Sequence, residues 1–161
     1  MHSVHHNDLK ILLKTTQPAS LLLSDPNPLP GDVLAACPNC QVTRVEGDIL
    51  AQLDTLGRFD LGIIANSLEH VDRKTAGRIL ARLRDVHTRR LVVLVPIGNT
   101  WENQCNHWEA IELLGYGMSL MARYQVDDKA LHLYHYAIET YKLTPDWLNS
   151  KHWAHPEHWK R

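Results

Sequence analysis

Short apolar runs recur along this chain, separated by stretches of helical pattern, and that alternation limits the fold more than any other feature. "SLLLS" at 20–24 is a candidate buried strand, "QVTRVEG" reads as a strand over 41–46, "FDLGIIA" as one over 59–65, and "RRLVVLVPIG" as one over 91–95 that Pro96 stops. The intervening segments carry helix signals. In "NDLKILLKTT", Asn7 or Asp8 caps a face of Leu9, Leu12 and Leu13. Asp32 opens a short helix, "VLAAC", and "DILAQLDTLG" is a helix closed by Gly57. "DRKTAGRILARLRDVH" has the clearest helical face, Ile79, Leu80, Leu83 and Val86. "WEAIELLGYG" is a further helix ending in glycine, and "MSLMARYQVDDKALHLYHYAIETYK" gives two strands around a turn at "VDDKA". Strands that alternate with helices require a mostly parallel sheet covered on both faces. The expected fold is therefore α/β, one domain with about six strands and an antiparallel hairpin at its C-terminal edge.

Charge excludes some functions. Lys plus Arg number 17 and Asp plus Glu number 18, so the chain lacks the basic excess of a nucleic-acid or acidic-membrane binder. It has no apolar run long enough to span a bilayer. The N-terminus, "MHSVHHNDLKILLKTTQ", has no apolar signal-peptide core, and a cytoplasmic protein is the expectation. The partners that remain are a small-molecule ligand or a protein, with a homodimer as one form of the latter.

Polar residues cluster where the apolar runs end. After 59–65 come Asn66, Ser67, Glu69, His70 and Asp72. Ligands of open α/β sheets bind at the carboxyl ends of the strands. His70 is a candidate general base with Glu69 to orient it. The competing reading is structural: Asn66 or Ser67 caps a turn and Asp72 caps the next helix. The polar loop "PIGNTWENQCNHW" brings Asn99, Trp101, Glu102 and His107, a fair wall for a substrate pocket. "CPNC" has zinc-knuckle spacing, and a set of Cys37, Cys40, Cys105 and His107 is chemically possible. An ordinary turn with two reduced thiols is the simpler reading, and no metal is expected. Residues 144–161 are rich in Trp and His. They are read as a tail folded over the sheet or a partner subunit, with metal binding through His152, His155 and His158 the minor alternative. The alternating run "LHLYHYAIETY" is read as a strand with one face covered, its histidines solvated.

Three segments resemble the class I S-adenosylmethionine-dependent methyltransferase family: "FDLGIIANSLEHVD", similar to that family's fourth strand and the turn after it; "AGRILARLRDV" with "RRLVVLVP", similar to its next helix and fifth strand; and "ELLGYGMSLMARYQVDDKALHLYHYAI", similar to its final turn and antiparallel strands. The resemblance covers roughly residues 57–138 and implies a Rossmann-like sheet and S-adenosylmethionine as cofactor. The N-terminal half departs from it. The family's first strand ends in an Asp-x-Gly-x-Gly-type loop, whereas here "DPNPLPGD" follows. Asp25 stands where the acidic residue would be. Pro26, Asn27 and Pro28 replace the glycines, and only Gly31 remains. Proline lacks an N–H and fixes φ, so the usual backbone cradle cannot form. For the acid that meets the cofactor after the second strand, the resemblance offers two alignments. Glu46 matches by spacing from Asp25, and Asp48 matches by the likeness of "EGDIL" to a later Gly-Asp turn. The span from 24 to 59 is about one β-α unit short for that family. Asp25, Gly31, Glu46, Asp48, Asn66 and Ser67 are thus the cofactor candidates. The expectation is a degenerate, non-catalytic binding or regulatory module. An active small-molecule methyltransferase with an atypical loop is the first alternative, and a Cys/His metal-binding protein the second.

Overall fold

In the computed structural model the chain builds one six-stranded sheet, and the structure describes residues 4–27 and 29–141. The aromatic tail expected at 144–161 lies outside the described residues. In chain order the elements are α1 (His6–Thr16), β1 (Ser20–Ser24), α2 (Gly31–Leu34), β2 (Gln41–Arg44), α3 (Ile49–Leu53), β3 (Phe59–Ala65), α4 (Arg73–Arg82), β4 (Thr88–Ile97), α5 (Glu112–Gly115), β5 (Ser119–Val126), β6 (Lys129–Ala137) and α6 (Ile138–Tyr141). The spatial order is β2-β1-β3-β4-β6-β5, with β2, β1, β3 and β4 parallel and β6 antiparallel to both β4 and β5. This is the mostly parallel sheet with an antiparallel edge that the alternation implied.

Each face of the sheet is closed by its own layer. Leu9, Leu13 and Val33 from α1 and α2 pack on Leu21, Leu23, Ile63 and Leu94. Ile49, Leu53, Ile79, Leu80 and Leu113, from α3, α4 and α5, pack on Leu22, Ile64, Leu91 and Val93. Successive residues of a strand point to opposite faces, so a run such as "LLL" must be apolar throughout when both faces are covered. Local signals set the element ends. The Asp48 carboxylate accepts from Ala51 N at the start of α3, and Asp72 accepts from Thr75 N and Thr75 Oγ1 at the start of α4. The β5–β6 turn places Asp127 and Asp128 at φ 49° and 62°, the left-handed pair that a type I′ hairpin demands. At the other end of β1, the Asp60 carboxylate receives Ala19 N and Ser20 N and fixes where the strand begins.

Several expectations are corrected. Pro96 does not stop the fourth strand, which continues to Ile97 with Pro96 opposite Leu131. The pairing of β3 with β4 ends at Ala65–Leu94, so at Pro96 the β3 side of the ladder has already ended and a residue without an N–H is tolerated. Val86 is exposed rather than part of the helix face. After Arg82 the helix widens into a π turn over Leu83–His87, and the extra residue in the turn rotates Val86 outward and buries His87, whose Nδ1 lies 2.9 Å from Gly57 O. The helix opened at Asp32 is a single turn. The second strand ends at Arg44 rather than 46, and the helix expected from Trp108 begins at Glu112. Trp108 is buried instead, bridged to Ile97. The last strand is covered on both faces, with Tyr134 and Tyr136 in one core layer and Leu131 and Leu133 in the other, and His132 is buried, not solvated. Among the described residues no helix is long and apolar enough to cross a membrane.

One glycine in the central strand has a packing reason. A Cβ on Gly62 would sit 2.7 Å from Cγ2 of the fully buried Thr88 and 3.1 Å from Leu91 Cδ1. Gly62→Ala is expected to destabilise the chain by roughly 1–3 kcal/mol, the usual cost of overpacking. A thermal melt should show the midpoint lowered by several degrees, and an unchanged midpoint would contradict this packing.

Candidate site at the carboxyl ends of the strands

Strands β1 and β3 leave the core side by side, and polar side chains tie their ends together. The Ser24 and Ser67 hydroxyls lie 3.1 Å apart. Asp25, only 6% exposed, accepts from Asn27 N at 2.8 Å and from Asn66 Nδ2 at 3.1 Å. Burial pushes the Asp25 carboxyl above its ordinary range, against the lowering effect of those two hydrogen bonds. Asn66 holds a left-handed backbone at φ 48°, which turns the chain sharply where β3 ends.

A cavity of about 450 Å³ opens beside this seam. Ser24 and Pro26 bound it from β1, Glu46 and Gly47 from the end of β2, and Asn66, Ser67 and His70 from the end of β3. Val45, Ile49 and Val71 supply its apolar surface. Asp25 is turned into its bonds with Asn27 and Asn66 and does not fill this space. Gln52 Nε2 donates to the Glu46 carbonyl, which fixes the backbone from which the Glu46 side chain projects. Gly47 has φ +72°, and a Cβ there would meet no protein atom within 4 Å.

A second cavity of about 150 Å³ lies on the other side of Asn66 and His70, which line both. Its remaining wall is Glu69, Pro96, Trp101, Glu102, Gln104 and Leu131. The loop after β4 is anchored over it. Cys105 N donates to Glu69 O, Asn106 Nδ2 donates to Leu68 O and Val71 O, and Trp101 Nε1 donates to Ala130 O. Glu69 is 5% exposed, and its Oε2 receives no hydrogen bond from any described group. Burial raises its pKa and repulsion from Asp25 adds to the rise, while hydrogen bonding to the backbone at Glu69 and Ser67 and the nearby His70, its Nε2 3.9 Å from Glu69 Oε1, oppose it.

The cofactor candidates separate accordingly. Glu46, Asn66 and Ser67 border the larger cavity, Asp25 braces it from behind, Asp48 is engaged as the α3 cap, and Gly31 opens α2 on the opposite face of the sheet. Of the substrate candidates, Trp101 and Glu102 border the smaller cavity. Asn99 and His107 do not, and the His107 carbonyl is held by Arg73. Glu69 and His70 both line the smaller cavity, with Glu69 Oε1 and His70 Nε2 3.9 Å apart, too far for the hydrogen bond by which one would orient the other. The possible zinc set does not assemble. Cys37 donates to Pro18 O near the start of β1, while Cys105 packs by Glu69 at the far end of the sheet. Among the described residues no group of three His, Cys, Asp or Glu side chains converges. Sequence reasoning missed Gly47, Gln104 and Asn106. The glycine of "EGD", directly after a strand, was the available signal for the first, whereas nothing local marked the other two.

Comparison with known proteins places the fold. Residues 3–161 match the family described as "Family of unknown function (DUF6231)", and the chain belongs to it. No curated protein sequence matches the chain. Among solved structures it is similar to the N-methyltransferase NodS from Bradyrhizobium japonicum WM9 in complex with S-adenosylhomocysteine, at TM-score 0.60 and 15% identity, covering 82% of this chain and 84% of that one. It is similar to an O-methyltransferase family protein from Burkholderia thailandensis at TM-score 0.59 and 12% identity, covering 84% of this chain but only 56% of the other. It also resembles magnesium protoporphyrin IX methyltransferase from Synechocystis PCC 6803 with S-adenosylhomocysteine bound, at TM-score 0.54 and 10% identity, covering 83% and 82%. At such identities the likeness establishes a methyltransferase-like fold and no more. The chain spans little more than half the length of the Burkholderia protein.

The buried Glu69 gives a pH-dependent prediction. Its folded pKa lies above its unfolded one, so the folded state favours the protonated form. The resulting cost is absent below the ordinary carboxylate pKa and grows as pH rises through the folded value. Glu69→Gln should therefore stabilise the protein at about pH 7.5, by roughly 1–3 kcal/mol, and the gain should vanish near pH 4. Melting curves of both proteins across pH check this, and a gain independent of pH would contradict it.

Proposed function

We propose, from the fold and the position of the larger cavity, that this protein binds an adenosyl ligand of the S-adenosylmethionine class between the carboxyl ends of β1, β2 and β3. The observation that carries this reading is the open cavity itself. At about 450 Å³ it lies within the usual range for small-molecule sites, is apolar at Val45, Ile49 and Val71, and is edged by the Glu46 carboxylate. These residues suit the group. The apolar side chains offer a surface for a purine, and Glu46 can accept from a ribose diol. Gly47 leaves the wall free of a side chain. Asn66 and His70 line the second cavity as well. When bound, S-adenosylmethionine supplies an activated methyl group, and His70 and Asn66 form the partition across which an acceptor would face it. The chain's own contribution is positioning, which is where such reactions gain their rate.

A second reading, a binding or regulatory module without catalysis, is favoured by the loop after β1. Pro26 offers no N–H there, and the Asp25 carboxylate is already engaged by Asn27 and Asn66. Under both readings the cavity binds the ligand.

Isothermal titration with S-adenosylhomocysteine is the test. Dissociation constants tighter than about 100 μM, or roughly −5.5 kcal/mol, are expected. Glu46→Ala should weaken binding about tenfold or more through loss of a charge-assisted acceptor, and Gly47→Val should abolish it by filling the wall and straining a positive φ. Absence of binding to the wild-type chain would sink the reading.

A further inference from the structure

The smaller cavity is walled by hydrogen-bond acceptors that lack donors. Glu69 is 5% exposed and its Oε2 accepts from no described group, and Gln104 Oε1 is in the same position. Both side chains line the cavity, and Glu102 adds a second carboxylate at its exposed rim. The rest of the wall is largely apolar, from Pro96, Trp101 and Leu131. No Lys or Arg is among the lining residues. Lys129 lies against the wall, its Nζ 5.7 Å from the Trp101 ring centre. His70 reaches Glu69 only at 3.9 Å and is more than half exposed.

A buried carboxylate oxygen without a donor is costly, and its removal from water is recovered only by a well-placed partner, best a charged one. An anionic ligand would meet two carboxylates and no cation. A hydroxyl brings one donor for two orphaned acceptors. An ammonium group brings up to three N–H donors and the charge that the site lacks. The volume of about 150 Å³ equals the liquid-state share of roughly five waters, enough for the nitrogen and a few carbons.

We propose that the smaller cavity is the binding site for a small primary or secondary amine, whose protonated nitrogen meets Glu69 and Gln104, the two side chains turning their buried Oε2 and Oε1 toward it. Its carbon chain lies along Pro96, Trp101 and Leu131. As the acceptor half of one two-part site joined at Asn66 and His70, this assignment rests on the reading of the larger cavity. It names the substrate class as an amine rather than an acid or an alcohol.

The test is a titration of the full chain with n-butylammonium chloride, n-butanol and sodium butyrate, with and without saturating S-adenosylhomocysteine. It is read from the indole N–H resonance of Trp101, assigned with Trp101→Phe. The ammonium salt should shift that resonance saturably. The alcohol should bind about tenfold more weakly or worse, and butyrate should not bind. Glu69→Gln should weaken the amine by at least about tenfold. Gln104→Met, a loop substitution outside the core, should weaken it in the same direction and serves if Glu69→Gln does not fold. Equal binding of alcohol or butyrate, wild-type amine affinity in both the Glu69 and Gln104 variants, or no amine binding under either condition would overturn the proposal. If the amine binds but S-adenosylhomocysteine does not, the reading of the larger cavity fails and the amine site stands. If S-adenosylhomocysteine binds and the amine does not, the reverse holds, and if neither binds both fall.

Discussion

Coverage of the sheet on both faces is the constraint from which the rest of this structure follows. In β1, β3 and β4 the backbone polar groups are consumed by the ladder, and the side chains have apolar neighbours above and below. A polar side chain in the middle of such a strand would be stranded without a partner. Polar residues therefore enter the chain where the strands stop, and three parallel strands stop together. Ser24, Asp25, Asn66 and Ser67 are neighbours for that reason, and the hydrogen bonds among them hold the strand ends in register.

The short connection between β1 and β3 gives this site its particular character. Only one β-α unit, β2 with α3, lies between β1 and β3, so β2 is the edge of the sheet and the turn "EGD" must do several things at once. Its glutamate faces the cavity, its glycine takes the left-handed backbone, and its aspartate caps α3. The loop after β1 offers no glycine-lined row of N–H groups. On the reading proposed above, recognition at this site comes from side chains and an apolar wall, rather than from the backbone dipoles and helix N-terminus that usually meet a phosphate or nucleotide.

Much of the fold was legible because its signals are local. The apolar run 59–65, the Asp72 cap and the double-aspartate hairpin each depend on residues within a few positions of one another. The misreadings share a different cause. Whether Pro96 ends a strand depends on how far β3 extends beside it. Whether the histidines of β6 meet water depends on the layers packed on the two faces of that strand. The burial of His87 and the exposure of Val86 depend on a π turn that the helical pattern did not announce. The candidate site divides in the same way. Glu69 and His70 were visible as a polar cluster after a strand, whereas Gln104 and Asn106 reach them from more than 30 positions further on, across a loop with no regular period.

The sequence by itself determined the alternation of strands and helices, the antiparallel edge and the fact that polar residues gather at the strand ends. Those properties are fixed by periodicity and by the exclusion of polar groups from a doubly covered sheet. Tertiary structure alone decided which polar residues share a cavity. It turned Asp25 into its neighbours rather than the open space and gave Glu46 the cavity while Asp48 took the cap. It also buried Glu69 against a distant loop and left one of its carboxylate oxygens, Oε2, without a donor. The direction of a side chain at the end of a strand is set by whatever packs against it, and here the packing partners come from loops far along the chain.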